Sequence, residues 1–268
     1  MKTNFAPQRR NSIHALILIF LVSANVFAQT APVIAEARLL KVEPQNVAEF
    51  EKQAKEVWKP AYQSSKQNGR IVEWQLYKIA FAGSADEYNY ASVAFYNDWK
   101  KTEPNDNMVD MIKAAFPKAD PNAILAKARS LSQVVRCSLY ERVDGVSKPD
   151  ARVKYIMMNF MKVKEGMGDA YVASETKDWK PVHKEMADNG KRAGWGLWAL
   201  AYPGGSGNSY DYVTTDSYET YAQMFEPATM EAFKKVYPDQ EVTPWIQKTE
   251  RTRSLVRSEL WELLEIVQ

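Results

Sequence analysis

The segment from Lys41 to Gly83 recurs without a gap 121 positions later, as Lys162 to Gly204, so whatever architecture this chain builds it builds twice. Lys41-Val42 matches Lys162-Val163, Trp58-Lys59-Pro60 matches Trp179-Lys180-Pro181, and Asn68-Gly69 matches Asn189-Gly190. Trp74, Leu76, Ala80 and Gly83 match Trp195, Leu197, Ala201 and Gly204, which makes eleven identities in 43 aligned positions. The register returns late in each half, where Val135-Arg136 faces Val256-Arg257 and Leu139-Tyr140-Glu141 faces Leu260-Trp261-Glu262.

Ahead of the repeats, Lys2, Arg9 and Arg10 precede an apolar stretch from Ile13 to Phe27, and Val26-Phe27-Ala28 places small or branched residues before a cleavage point. This pattern predicts a signal peptide over residues 1–28, removed after Ala28, and a secreted or periplasmic mature chain with no membrane attachment. The apolar stretch is short for a span, which takes roughly 20 residues. Without those residues 32 basic side chains face 33 acidic ones, so the +2 of the whole chain belongs to the leader. A near-neutral mature chain lacks the clustered Lys and Arg that nucleic acid requires. One cysteine, Cys137, and one histidine outside the leader, His183, exclude an internal disulfide framework and argue against zinc ribbons and His/Cys metal sites. No metal and no cofactor are expected from these counts.

Each half opens on an extended segment, 33–42 and 153–163, apolar on both faces as a doubly covered strand should be. Helical spacing follows over Val47 to Gln67 and Met167 to Asp188, with a kink or restart expected at Pro60 and Pro181 and a stop at each Asn-Gly. Alternating aromatic runs around Gly83-Ser84 and Pro203-Gly204-Gly205 predict hairpins, Arg70–Ala82 with Glu87–Tyr96 and Arg192–Tyr202 with Tyr210–Tyr218. Helices are expected over Asn105–Phe116 and Tyr218–Tyr237, shorter ones from Asp120-Pro121 and Thr243-Pro244, and final strands over Val134–Val143 and Leu255–Ile266.

Strand, helix, strand, strand, helix, strand is the βαββαβ order of a ferredoxin-like unit. The predicted fold class is α+β: two tandem ferredoxin-like repeats, 29–148 and 149–268, packed sheet to sheet as a pseudo-dimeric α+β barrel. On this order, the duplication and the Lys-Val starts at Lys41 and Lys162, the chain resembles the dimeric α+β barrel superfamily. That group includes antibiotic-biosynthesis-type monooxygenases, NIPSNAP-like domains and haem proteins related to chlorite dismutase. The resemblance implies ligands held between helices and sheet.

Trp58 and Trp179 on the first helices, Trp74 and Trp195 on the second strands, and Trp198 three residues on are candidate cavity walls, and equally ordinary core aromatics. Trp74 and Tyr77 have opposite strand parity, so they cannot share a cavity. His183 stands where the first half has Tyr62, and Asp216 where it has Ala94. With Tyr212 they are candidate proton-handling residues, against the plain reading of a solvated helical histidine and a sheet tyrosine. Arg257, repeated from Arg136, either binds an anionic ligand or pairs with an acid on its own strand. These mismatches make the second half the expected functional half. The leading expectation is a protein binding a small apolar or aromatic molecule in a helix–sheet cavity. The alternatives are a cofactor-independent monooxygenase-like enzyme and, through His183 as axial ligand, a haem-binding protein. A homodimer is compatible with all three.

Overall fold

β-Branched and aromatic residues at alternating positions make eight strands, and their two faces have different destinations. In the computed structural model, which describes residues 32–103 and 108–268, strand β1 (Ile34–Val42) turns Ile34, Leu40 and Val42 to the helices. It turns Ala35, Ala37 and Leu39 inward. The leader assigned to residues 1–28 and the expected helix start at Asn105 lie outside the described residues.

Helix α1 runs over 47–67 as α-helical Val47–Gln53, a π-helical turn Ala54–Trp58 and α-helical Lys59–Gln67. Strands β2 (Glu73–Ile79) and β3 (Tyr90–Tyr96) follow, then α2 (Met108–Ala115), α3 (Pro121–Leu131) and β4 (Ser132–Ser147). The second half supplies β5 (Tyr155–Val163) and α4, which comprises Gly168–Ala173, a π-helical turn Ser174–Trp179 and Lys180–Asp188. It continues with β6 (Gly194–Tyr202), β7 (Tyr212–Tyr218), α5 (Ala228–Val236), α6 (Val242–Thr252) and β8 (Arg253–Val267).

The first helices restart at their prolines as expected, after a π-helical turn and without a break. Pro60 and Pro181 lack the N–H that would reach four residues back, and each helix widens just ahead of its proline instead. The Lys59 N–H bonds the Ala54 carbonyl and the Lys180 N–H the Glu175 carbonyl, both five residues back. The helix expected from Tyr218 to Tyr237 is shorter, because Pro227 disfavours a helical residue before it and Glu226 is extended.

The strands form one closed antiparallel barrel in the order β1-β3-β2-β8-β5-β7-β6-β4. Each half contributes four consecutive places, β4-β1-β3-β2 and β8-β5-β7-β6. The expected barrel closes through the edges of the two halves. β4 and β8 are 16 and 15 residues long, beyond the segments expected from sequence. The early part of β4 pairs with β1 and its later part, from Leu139, with β6; β8 pairs first with β5 and then, from Trp261, with β2. Closure leaves no free sheet edge. Helices cover the outside, so the molecule has two kinds of interior: the barrel lumen, and a helix–sheet layer on each half.

Candidate functional site

The helix–sheet layer of the first half is open. Trp74 on β2 is 1% exposed, stacks on Tyr62 of α1 with ring centres 4.6 Å apart, and donates from Nε1 to the Ser92 hydroxyl at 2.9 Å. Beside this stack lie two adjoining cavities of about 180 and 240 Å³ that share Arg38, Tyr62, Ser92 and Met108. The smaller is walled by Phe50, Trp58 and Trp74. The larger is polar, with Glu36, Arg38, Arg70, Tyr96, Lys101 and Cys137 around it.

Glu36 and Arg38 sit two apart on β1, so both point to the helices, and they pair at 2.5 Å through Arg38 Nε. Arg38 Nη1 reaches Met108 Sδ at 3.5 Å, and the Tyr96 hydroxyl donates to Glu36 at 3.1 Å. Burial works against the Arg38 charge, but Tyr62 and Glu36 more than offset it and keep the guanidinium protonated. A guanidinium has five donors, so Arg38 retains some for a ligand after meeting Glu36. The arrangement suits a small aromatic body against Trp58 and Trp74 with an acidic or hydroxyl substituent toward Arg38.

Cys137, exposed at the rim of the larger cavity, reports on this site. Partial burial and the Glu36 carboxylate push its thiol up, with Arg38 opposing. Iodoacetamide at neutral pH should therefore modify Cys137 more slowly than free cysteine, and Glu36→Gln should speed the reaction. Equal rates in both proteins would show that Glu36 does not govern the thiol.

Sequence reasoning missed Glu36, Arg38 and Ser92. Its own criterion, mismatch between the halves, would have found the first two: Glu36 and Arg38 face Met157 and Asn159 in the repeat, a charged pair on an otherwise apolar strand face.

Of the predicted residues of the second half, His183, Trp195 and Asp216 converge, but on a packed cluster. His183 stacks on Trp195 with ring centres 4.8 Å apart, reproducing the Tyr62–Trp74 stack. Arg192, 5% exposed, donates from Nη1 to His183 Nδ1 at 2.5 Å and pairs through the same atom with Asp216 at 2.7 Å; Asn159 also donates to Asp216 at 2.9 Å. Arg192 occupies the place of Ile71, so an arginine fills the layer where the first half has an aliphatic side chain. Burial, and then Arg192, lowers the His183 pKa well below its ordinary value. With the Nδ1 lone pair accepting from Arg192, the other nitrogen carries the ring proton. The geometry thus corrects the expectation of a solvated histidine or a general base. The same bond occupies the imidazole lone pair that an iron would need, so His183 as placed does not fit a haem.

Tyr212 packs edge-on to Tyr171 at 5.2 Å, and Trp179 donates to the Thr249 hydroxyl at 2.7 Å among Phe233 and Trp245. Trp198 faces the lumen, as its parity against Trp195 requires, and Tyr77 does so against Trp74. Arg257 lies 3.8 Å above the Phe160 ring and bonds Glu259 at 2.7 Å and the Tyr88 hydroxyl at 3.1 Å. Pairing with an acid on its own strand describes it.

Glu175, in the π-helical turn of α4, is 5% exposed. Burial, with Asp216 adding and Arg253 opposing, pushes its carboxyl up to about 7. The folded chain therefore holds a proton that the unfolded chain releases near the ordinary 4.5. Stability should fall as pH rises from about 4.5 to about 7, by on the order of 3 kcal/mol. Glu175→Gln should flatten that slope in urea melts across the window, and an unchanged slope would assign it to other groups.

Among the described residues no group of three or more His, Cys, Asp or Glu side chains could hold a metal ion, and no helix is long and apolar enough to cross a membrane.

No protein-family model matches the chain, and no curated protein matches it. Solved structures do. A protein of Fusobacterium nucleatum provisionally assigned as a monooxygenase is similar over 89% of this chain and 94% of its own, with a TM-score of 0.57 and 10% identity. A Lactobacillus acidophilus protein with the same provisional assignment aligns over 89% and 96%, with a TM-score of 0.53 and 8% identity. A haem-binding protein of Thermus thermophilus aligns over 87% and 92% at 7% identity, with a TM-score of 0.47, too low to argue from. At these identities the likeness is one of fold, and the fold is an α+β barrel.

Proposed function

We propose that the chain is a secreted small-molecule-binding protein whose ligand occupies the helix–sheet layer of the first half. The carrying observation is the junction of an aromatic-walled cavity with a polar one around Arg38, Tyr62 and Ser92. The ligand is a small aromatic molecule with an acidic or hydroxyl group. Its ring lies by Trp58 and Trp74, and its polar end reaches Arg38. The strand order within each half supports taking 29–148 and 149–268 as two ferredoxin-like repeats, and the sequence of residues 1–28 supports secretion. Thermal-shift measurements with a panel of benzoates, naphthoates and phenols test this. At least one compound should raise the midpoint of wild type and raise that of Arg38→Met less.

A second reading, a cofactor-independent monooxygenase-like enzyme, is favoured by the Tyr96–Glu36 hydrogen bond beside the same cavity. It draws also on the provisional assignments of the two solved structures. Here Glu36, rather than His183, Asp216 or Tyr212, would take the substrate proton. Oxygen uptake with a phenolic hit, abolished in Glu36→Gln while binding persists, would select this reading over simple binding.

A further inference from the structure

The barrel lumen holds a separate cavity of about 390 Å³, which the helix–sheet site does not use. An eight-stranded barrel is just wide enough to be filled by side chains or to hold one small ligand, and this one does each along part of its length. One part is filled: the Tyr140 and Tyr210 hydroxyls meet at 2.6 Å, Phe160 stands edge-on to Tyr210 at 4.8 Å, and Arg257 covers Phe160. Toward the other end the lumen opens, and mismatch between the halves is the reason. Ala35 and Ala37 on β1 stand where the repeat has Ile156 and Met158 on β5, and Ser217 stands where the first half has Phe95. Small side chains on one member of each pair leave the room.

The wall is apolar and aromatic, chiefly Tyr77, Phe95, Trp198 and Trp261, and the Trp198 Nε1 donor is met by Thr215 at 3.3 Å. Among the described residues Arg152 is the one charged side chain lining the cavity, and it is exposed at the rim. An uncharged wall selects against a buried ion. As a measure of size, a cavity of about 150 Å³ takes a single benzene ring.

We propose that the lumen is a second binding site, for a neutral molecule of two to three aromatic rings whose polar group sits at the rim by Gln75 and Arg152. The test is fluorescence titration with 1-N-phenylnaphthylamine, a neutral probe of this size that brightens in apolar surroundings. Wild type should show saturable binding of one probe per chain. Ala35→Ile/Ala37→Met, which copies into the first half the side chains of the second, should weaken binding by about tenfold or more while preserving the melting midpoint. Ala37→Met alone should weaken it in the same direction and serves if the double variant fails to fold. Arg38→Met should leave the probe's affinity unchanged. Absence of saturable binding to wild type overturns the proposal, as does unchanged affinity in the folded filled variants. A loss in Arg38→Met with none in Ala37→Met would put the probe in the helix–sheet layer, refuting the lumen site without touching the first-half site.

Discussion

Arg192→Ala is expected to destabilise the folded chain by about 3–5 kcal/mol, the usual cost of removing one partner from a buried ion pair. Arg192 and Asp216 pair at 2.7 Å with side chains 6% and 16% exposed, so truncation strands a carboxylate inside the second half with, among the described residues, Asn159 left to donate to it. The same change frees His183 Nδ1, and the imidazole should then titrate nearer its ordinary range. Chemical denaturation measures the first effect and NMR titration of His183 the second. Arg192→Ala/Asp216→Ala should cost less than the sum of the two single changes, because it removes both charges together. If Arg192→Ala melts within about 1 kcal/mol of wild type, the cluster is solvated and its structural role is refuted.

Trp74→Ala should cost about 3–5 kcal/mol as well, for a different reason. The indole is fully enclosed, stacked on Tyr62 and anchored through Nε1 to Ser92, so its loss removes a large apolar surface and leaves a hole continuous with the cavity beside it. Trp74→Phe keeps an aromatic ring and loses mainly the indole bond, which should cost about 1 kcal/mol. A larger loss for Phe than for Ala would contradict this apportionment. Because Trp74 also walls the ligand cavity, Trp74→Ala should weaken aromatic ligands even in protein that remains folded.

The duplication made much of this legible. Residues that match between the halves, the Trp-Lys-Pro helices, Asn-Gly stops and paired tryptophans, turn out to build the shared layers: Trp74 and Trp195 occupy equivalent stacks against Tyr62 and His183. Strand parity separated Trp74 from Tyr77 and Trp195 from Trp198 correctly. The barrel was expected from the element order and the resemblance, but the way it closes was not legible, because β4 and β8 run past their own half to pair with β6 and β2, a contact between distant segments with no local signal. Nor was the difference between the two helix–sheet layers. His183 and Asp216 were conspicuous as mismatches, yet the side chain that decides their fate is Arg192, which reaches into the layer and fills it. In the first half Glu36 and Arg38 pair along one strand and leave the neighbouring space open.

We place the ligand site in the first half, around Arg38 and Trp74, and not around His183. Thermal shift with the panel of aromatic acids and phenols, on wild type, Arg38→Met and His183→Ala together, tests it most directly. The predicted result is a midpoint rise in wild type that is kept in His183→Ala and reduced in Arg38→Met. A rise that survives in Arg38→Met and disappears in His183→Ala would contradict it, as would a panel in which no compound raises the wild-type midpoint.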